Sequence, residues 1–462
     1  MNIFLLISDT FRYDNLFDRA SMPVNTPELD RFSERAVSME NCWVSSFPTI
    51  PHRTDLTTGR YGWPWYRWQP RLESSPNHAP LILKQADYRS QLLCDCPHLF
   101  KSNFNMGFDG SFAVRGQEGD RYFTRMNHPI ETVMPPEKTR AGSHFMGHNL
   151  PDIASWTNRN WRLEEDRFMA QTGRLAVEWL EENYMHDPLF LWVDFFDPHE
   201  PWDPPEYMVK KYDPDYNGTP MIHPNYGKAS DLTEEELRNL RAHYCAEAEL
   251  VDRWVGRVLQ KIDDCNLWEN SIVIFTTDHG MSLGEHNRTG KSNINPGDNR
   301  FWPLYPEIAH IPLMIAAPGL EEGTRVTQFV QPPDILPTVL DLAGLDIEPP
   351  EPFHGKSFAP FMRGEKAQPL HEIVVSGAFF RKKEGEEMKE ISTPVVYTEE
   401  WAYAPIGLEG DPELFNLKED PYAENNVYAD NKKTADEMHE KLIQWMKEMD
   451  APEEAFEIFA KQ

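Results

Sequence analysis

Basic residues are scarce relative to acidic ones in this chain of 462 residues. It contains 45 Lys and Arg against 75 Asp and Glu, and its formal net charge is −30. Proteins that bind nucleic acids need a basic surface to meet the phosphate backbone. We therefore expect no nucleic-acid partner. An anionic small molecule would need a locally positive pocket inside this negative protein.

Cysteine is also rare. There are five cysteines, an odd number, and their spacing matches no disulfide framework. This pattern is typical of reduced thiols rather than of a disulfide-stapled fold. Cys94 and Cys96 have no second pair that would complete a zinc site, and we interpret them as packing residues.

Long hydrophobic runs are missing as well. The apolar run near the amino terminus covers only residues 3–7. It is too short to span a membrane, and it has neither a basic flank nor a cleavage site of small residues. We expect a buried strand there, no membrane partner and a cytoplasmic protein.

Short apolar runs are present, and polar residues follow them. The runs at 3–7, 188–193 and 271–275 are followed by Asp9, by His199 and by Asp278 with His279. Such runs are typical of central parallel strands, whose carboxyl ends carry ligands in open α/β sheets. The sequence thus predicts an α/β fold, with a large mixed and mostly parallel sheet sandwiched by helices.

The carboxyl-terminal part differs in character. Beyond about residue 370 the charge density rises, apolar runs shorten, and an amphipathic helix is expected near residues 433–449. We interpret residues 1–370 as a catalytic domain and residues 371–462 as a smaller α+β subdomain with short strands.

The segment 46–60 carries the strongest local signal. Thr49 precedes Pro51 by two residues, and Arg53 follows it by two. Pro51 predicts a helix that starts near it. Thr49 would then lie at the amino-terminal end of this helix, where unpaired N–H groups favour an anion. Arg53 lies one turn further and could direct two donors onto the same oxyanion. Taken alone, the segment is equally typical of an ordinary helix start.

Asp9, Asp278 and His279 form a candidate metal site. Hard oxygen ligands and one imidazole at the ends of parallel strands suit a divalent cation. A metal would also lower the pKa of the Thr49 hydroxyl, which is otherwise a poor nucleophile. The competing interpretation is that these residues are turn or helix caps.

Two further segments leave alternatives open. The aromatic cluster at 63–68 fits either core packing or a wall for the substrate's leaving group. The segment 102–160 is rich in Gly, Asn, Pro and His, and we expect a long excursion over the active face.

Taken in order, the motifs resemble the sulfatase family of the alkaline phosphatase superfamily. That family's nucleophile motif reads Cys/Ser-x-Pro-Ser-Arg and is followed by Thr-Gly. The matching segments span nearly the whole chain; they are Asp9 with Arg12, Thr49-Ile50-Pro51-His52-Arg53 with Thr58-Gly59, Asp197-Pro198-His199-Glu200-Pro201-Trp202, residues 274–280, residues 283–286, Gly290-Lys291 and residues 413–421.

The resemblance implies an alkaline phosphatase-like fold and roles for the matching residues. Asp9, Asp278 and His279 would bind one divalent metal ion, with a second ion left open, and Thr49 would be both nucleophile and ligand. Arg53 and Lys291 would hold the oxyanion. His199 would protonate or steer the leaving group, and His98 would line the pocket.

The sequence departs from the family pattern at two positions. Thr49 stands where sulfatases carry the Cys or Ser that becomes formylglycine, and threonine cannot form that aldehyde. Thr10 stands where many sulfatases have a second Asp ligand. This combination resembles the phosphonate monoester hydrolases and related phosphodiesterases, and fewer anionic ligands favour Mn or Zn over Ca.

These departures lead to a functional hypothesis. We expect a metal-dependent hydrolase of small anionic phosphate or phosphonate esters, diesters in particular, working through a covalent Thr49 intermediate. The alternative is a sulfuric ester hydrolase acting on a sugar or aryl sulfate. A third interpretation is a sulfatase-like binding protein without turnover. The sequence leaves the oligomeric state open, a homo-oligomer included.

Overall fold

The computed structural model describes residues 1–17, 19–65, 76–120, 130–139, 147–292, 300–384 and 387–460. Within these ranges the strands are β1 (Asn2–Ser8), β2 (Val37–Cys42), β3 (Arg89–Cys94), β4 (Gly110–Ala113), β5 (Leu189–Phe195), β6 (Ser271–Thr277), β7 (Ser282–Leu283), β8 (Thr289–Gly290), β9 (Leu313–Ala316), β10 (Arg325–Val330), β11 (Val374–Glu384), β12 (Glu387–Tyr397), β13 (Trp401–Ala404) and β14 (Glu413–Asn416).

The same ranges also contain the α-helices of the two sheets' layers. They are α1 (Pro27–Arg35), α2 (Thr49–Thr58), α3 (Ala79–Lys84), α4 (Pro97–Lys101), α5 (Leu150–Asn158), α6 (Phe168–Asn183), α7 (Glu206–Tyr212), α8 (Glu234–Asp264), α9 (Pro306–Ala309), α10 (Ile335–Leu342), α11 (Ala359–Met362), α12 (Lys432–Glu448) and α13 (Glu453–Ala460). None of the helices described is both long and apolar enough to cross a membrane.

The large sheet has eight strands in the order β10-β2-β9-β6-β1-β5-β3-β4. Strand β9 runs antiparallel to both of its neighbours, and the other pairs are parallel. The predicted mixed, mostly parallel sheet is therefore confirmed. Its centre is β1, which pairs in register with β5 on one side and β6 on the other.

The two faces of β1 enter two different cores. Ile3, Leu5 and Ile7 pack into one, and Phe4 and Leu6 pack into the other. A strand buried on both faces reads as a continuous apolar run, which explains the pattern at residues 3–7. Helices α2, α3 and α10 cover the first face, and α1, α6 and α8 cover the second.

Helix α8 begins as the sequence indicates. The Thr233 side chain accepts a hydrogen bond from the Glu236 backbone N–H, and the Glu236 carboxylate accepts one from the Thr233 N–H. This capping box satisfies two backbone donors at the start of the longest helix described.

A second, four-stranded antiparallel sheet follows in the order β11-β12-β13-β14. The prediction of short strands was wrong for β11 and β12, because the charged run 381–384 belongs to their long hairpin ladder and does not interrupt it. The boundary placed at residue 370 stays a prediction. Trp63 packs into the core of this unit, where its indole N–H donates to Ser392 over 2.8 Å. Core packing is thus confirmed for Trp63, while Trp68 lies outside the described residues.

Candidate active site

Two carboxylates meet where the central strands end. Asp9 follows β1 and Asp278 follows β6, and the register of these strands sets Ser8 opposite Thr277. The Thr10 backbone N–H donates to Oδ1 of Asp278 over 2.9 Å and so ties the two strand ends together. With His279, these residues offer ligand atoms that all lie within 4.8 Å of one another, and all three side chains are buried.

Helix α2 brings Thr49 to the same place. The helix begins at Thr49 itself, two residues before Pro51, with its first backbone bond from the His52 N–H to the Pro48 carbonyl. Pro51 is tolerated because the first backbone N–H groups of a helix have no partner within the helix. Thr49 therefore lies at the positive end of the helix dipole, and it is only 3% exposed.

Arg53 makes contacts with the protein that the sequence did not predict. It was predicted to direct two donors onto a substrate oxyanion, but its N–H groups already face protein oxygens. Its Nε and Nη2 each lie 2.8 Å from an oxygen of Asp194, and Nη1 lies 2.7 Å from Oδ2 of Asp278. The remaining contacts run to the Thr49 carbonyl at 3.2 Å and to Oδ2 of Asp9 at 3.2 Å. Since a guanidinium has five N–H groups, Arg53 fixes the carboxylates and the start of α2.

The donor set fits a divalent cation. Nε2 of His279 is buried and has no hydrogen-bond partner, and neither has the buried Oδ2 of Asp9, whose contact at 3.2 Å is the ion pair with Arg53. Nδ1 of His279 lies 2.9 Å from the Gly280 carbonyl, which can only accept, so Nδ1 carries the proton and Nε2 is free to bind a metal. Unpaired buried ligand atoms of this kind are costly unless an ion or water occupies them.

The burial of the two carboxylates also favours a positive charge beside them. Burial raises the pKa of Asp9 well above its ordinary value, and the charge of Asp278 raises it further, against the opposing effect of Arg53. Burial acts in the same direction on Asp278, but His279 and Arg53 outweigh it and hold its pKa below the ordinary value. Without a cation, the two buried carboxylates repel each other. A divalent ion bound by both would offset this repulsion.

Lys291 reaches the cluster through Thr10. Its ammonium donates to the Thr10 hydroxyl over 2.9 Å, and that hydroxyl donates to Oδ1 of Asp9 over 2.7 Å. Thr10 adopts a left-handed backbone conformation (φ 64°), which is uncommon for a β-branched residue and directs its N–H towards Asp278. The Thr10 hydroxyl therefore links Lys291 to Asp9.

His199 lies in the loop that follows β5. Its Nδ1 lies 2.6 Å from the Glu200 carbonyl, so Nδ1 carries the proton and Nε2 is the acceptor of the neutral ring. The ring stacks on Phe196 with 4.0 Å between centroids. Burial lowers the pKa of His199 to about 3, although the Glu200 charge opposes this. In the free protein His199 is therefore a neutral imidazole.

His98 lies farther out than the other predicted residues. It belongs to α4, its ring centroid is 6.1 Å from that of Phe196, and its Nε2 lies 2.8 Å from Oε2 of Glu118. Phe196 thus lies between His98 and His199. The catalytic and metal-binding roles of all these residues remain predictions, but the geometry gathers Asp9, Asp278, His279, Arg53 and Lys291 into one cluster.

Sequence analysis missed two residues of the site. Asp194 is the single charged residue of β5, and a charge within a buried strand was the available signal. Glu200 was quoted only as part of a motif, although its carboxylate lies 3.8 Å from the Lys291 ammonium. Nothing in its sequence position separates it from an ordinary loop residue.

Two family models match this chain. Residues 1–345 match the family model for sulfatases, and residues 297–450 match the model described as N-sulphoglucosamine sulphohydrolase, C-terminal. The solved phosphonate monoester hydrolase of Agrobacterium radiobacter superposes with a TM-score of 0.74 over 97% of this chain and 96% of its own, at 21% identity.

Curated relatives are also similar to this chain over most of its length. The chain is 25% identical to an endo-4-O-sulfatase of Bacteroides thetaiotaomicron, with 93% of this chain and 86% of the relative covered. It is 24% identical to a choline-sulfatase of Rhizobium meliloti, with 92% and 82% covered. These relatives are hydrolases of ester bonds. The protein belongs to the sulfatase family.

Proposed function

We propose that this protein is a metal-dependent hydrolase of phosphate or phosphonate esters, diesters in particular, and that Thr49 forms a covalent intermediate. The observation that carries the proposal is the threonine at the start of α2, beside the Asp9, Asp278 and His279 cluster. A threonine cannot supply the formylglycine that the sulfatase resemblance implies for ester cleavage. Its hydroxyl can attack phosphorus directly.

The proposed reaction has two steps. The Thr49 oxygen forms a bond to phosphorus while the bond to the leaving alkoxide or phenoxide breaks, the hydroxyl proton is lost and the leaving oxygen takes up a proton. Water then attacks the phosphorus, breaks the bond to Thr49 and restores the hydroxyl. A bound divalent ion, with Mn or Zn favoured, would supply the positive charge that lowers the pKa of Thr49.

The chain's own residues have distinct tasks in this scheme. The amino-terminal end of α2 and the Lys291 ammonium bring positive charge to the oxyanion. Arg53 holds Asp278, Asp9 and the Thr49 backbone in place. The neutral His199 offers a proton acceptor on Nε2 for the attacking water or steers the leaving group.

A second candidate is a sulfuric ester hydrolase on a sugar or aryl sulfate. It is favoured by the match of residues 297–450 to the N-sulphoglucosamine sulphohydrolase model and by the sulfatase names of the curated relatives. In that case Thr49 would carry a sulfate ester that water must hydrolyse. A binding protein without turnover is the third possibility, and the retained metal-binding and cationic side chains argue against it.

The covalent intermediate provides the test. The metal-loaded protein is mixed with bis-p-nitrophenyl phosphate, quenched with acid and digested, and the peptide that contains Thr49 is examined by mass spectrometry. We expect a phosphoryl ester on Thr49, and none in the Thr49→Ala variant. Release of p-nitrophenol with no modified Thr49 at any quench time would refute the covalent route.

A further inference from the structure

Glu200 is a fully buried carboxylate between two groups of the candidate site. Its Oε2 lies 3.8 Å from the Lys291 ammonium and 3.5 Å from Nδ1 of His199. That oxygen is buried and forms no hydrogen bond. Burial raises the pKa of Glu200, but His199 and Lys291 outweigh it and bring the pKa down to about 2. A charged carboxylate is therefore kept inside the protein, which is costly unless it is paired, and Lys291 is its cationic neighbour.

Tyr226 holds Glu200 from the other side. The Tyr226 hydroxyl donates a hydrogen bond to Oε1 of Glu200, and both side chains are fully buried. Tyr226 adopts a left-handed backbone conformation (φ 53°), which is strained for an aromatic residue. Strain of this kind persists only where the surrounding structure fixes it, and it clusters at functional sites.

The same tyrosine also packs against the residue that precedes Lys291. A Cβ built on Gly290 would lie 3.0 Å from Cγ of Tyr226, and Gly290 itself has a φ of +110°. The segment that carries Tyr226 is tied to β8 by the hydrogen bond from the Thr289 N–H to the Gly227 carbonyl, 3.1 Å, and by that from the Thr289 hydroxyl to Asn225, 2.6 Å. A movement of Tyr226 would therefore displace the backbone next to Lys291.

We propose that Glu200, held by Tyr226, is a positioning residue that keeps the Lys291 ammonium directed at the oxyanion of a bound ester. Without the Glu200 carboxylate, the nearest acid to Lys291 among the described residues is Asp9, whose Oδ1 already lies 3.9 Å away. Lys291 would then pair with a metal-binding carboxylate and turn from the substrate. This inference rests on the proposed ester hydrolysis but not on whether the ester contains phosphorus or sulfur.

The direction in which anion binding changes distinguishes a positioning role of Glu200 from a purely electrostatic effect of its charge. Glu200 is negative, so removing its charge should by itself strengthen the binding of an anion. The positioning role predicts the opposite, because the lost Lys291 contact outweighs the gain. Glu200→Gln keeps the size of the side chain and removes only the charge.

The experiment is a double-mutant cycle on the metal-loaded protein, with vanadate as the oxyanion probe. We expect Glu200→Gln to weaken vanadate binding by about 10- to 100-fold, as is typical when a partner of a site residue is removed. In the Lys291→Met background the same change should have little effect, because the residue through which Glu200 acts is gone. Tyr226→Phe should weaken binding in the same direction by a smaller factor.

Tyr212→Phe is the matched control, since Tyr212 also pairs with a buried glutamate, Glu249, over 2.9 Å but lies outside the site. It should bind vanadate as the parent does. If Glu200→Gln fails to fold, Tyr226→Phe takes its place in the cycle. Tighter binding, or an equal loss with and without Lys291, would overturn the proposal. Because vanadate binding needs no turnover, a protein that shows the coupling but hydrolyses no ester would refute only the proposed function.

Discussion

Arg53 and Asp194 form a two-pronged ion pair in which Nε and Nη2 of the arginine each lie 2.8 Å from a carboxylate oxygen, and both side chains are wholly buried. The arginine also reaches Asp278, so Asp194 indirectly orients a candidate metal ligand. Removing one partner of a buried pair leaves an uncompensated charge, which is strongly destabilising.

Asp194→Asn should therefore lower the free energy of unfolding by about 3–5 kcal/mol. It should also weaken metal binding, because Arg53 would no longer be fixed against Asp278. Urea unfolding and metal titration measure the two effects. Asp187→Asn, at an exposed aspartate, should change the stability by less than about 0.5 kcal/mol. Wild-type stability in Asp194→Asn would mean that the pair has no structural role.

Metal removal should destabilise the protein. Asp9 and Asp278 are buried side by side, and without a cation their charges repel. Chelation should lower the melting temperature, and Mn or Zn at about 100 times its dissociation constant should restore about 2.7 kcal/mol. In Asp9→Asn, chelator and metal should change the melting temperature far less. Equal melting temperatures with and without chelator in the parent protein would contradict the assignment of this site.

The pKa of His199 leads to a prediction about pH. Burial lowers that pKa to about 3, so the ring is neutral in the free protein at every higher pH. His199→Asn should therefore reduce kcat/KM by a factor that stays constant from about pH 5 to pH 8. If the protonated ring of the free protein were required, the activity lost in the variant would instead grow about tenfold for each unit of decreasing pH. Parallel pH profiles of parent and variant decide between the two.

Thr49 can be tested by two substitutions of different kinds. Thr49→Ala removes the nucleophile and should abolish turnover while leaving Asp9, Asp278 and His279 able to bind metal. Thr49→Ser keeps a hydroxyl and should retain measurable activity. Steady-state kinetics and metal titration on both variants measure this. Equal activity of Thr49→Ala and the parent protein would show that another group attacks the ester.

The sequence predicted those parts of the site that follow local rules. Asp9 and Asp278 come directly after apolar runs, and the carboxyl ends of parallel strands share one edge of a sheet. Their proximity could therefore be inferred without coordinates, and the parallel strands β1 and β6 confirm it. For Trp63 the sequence left core packing and a substrate wall as alternatives, and the structure places it in a core.

Other features depend on contacts between distant segments. The pairing of Arg53 with Asp194 was not predicted, because the two residues lie 141 positions apart and no local pattern shows that Asp194 accepts two of the arginine's hydrogen bonds. Glu200 and Tyr226 both lie in loops, and the periodicity of apolar residues does not predict contacts between loops. The long strands β11 and β12 were missed because charged residues are tolerated within an antiparallel hairpin.

The most direct test of the central claim compares kcat/KM for three esters on metal-stripped protein to which Mn, Zn or Ca is returned. The esters are p-nitrophenyl sulfate, a phenyl phosphonate monoester and bis-p-nitrophenyl phosphate. An unmodified Thr49 nucleophile predicts a strong preference for the two phosphorus esters, greatest with Mn or Zn. A preference for p-nitrophenyl sulfate would contradict this account and identify a sulfatase that works from an unmodified threonine.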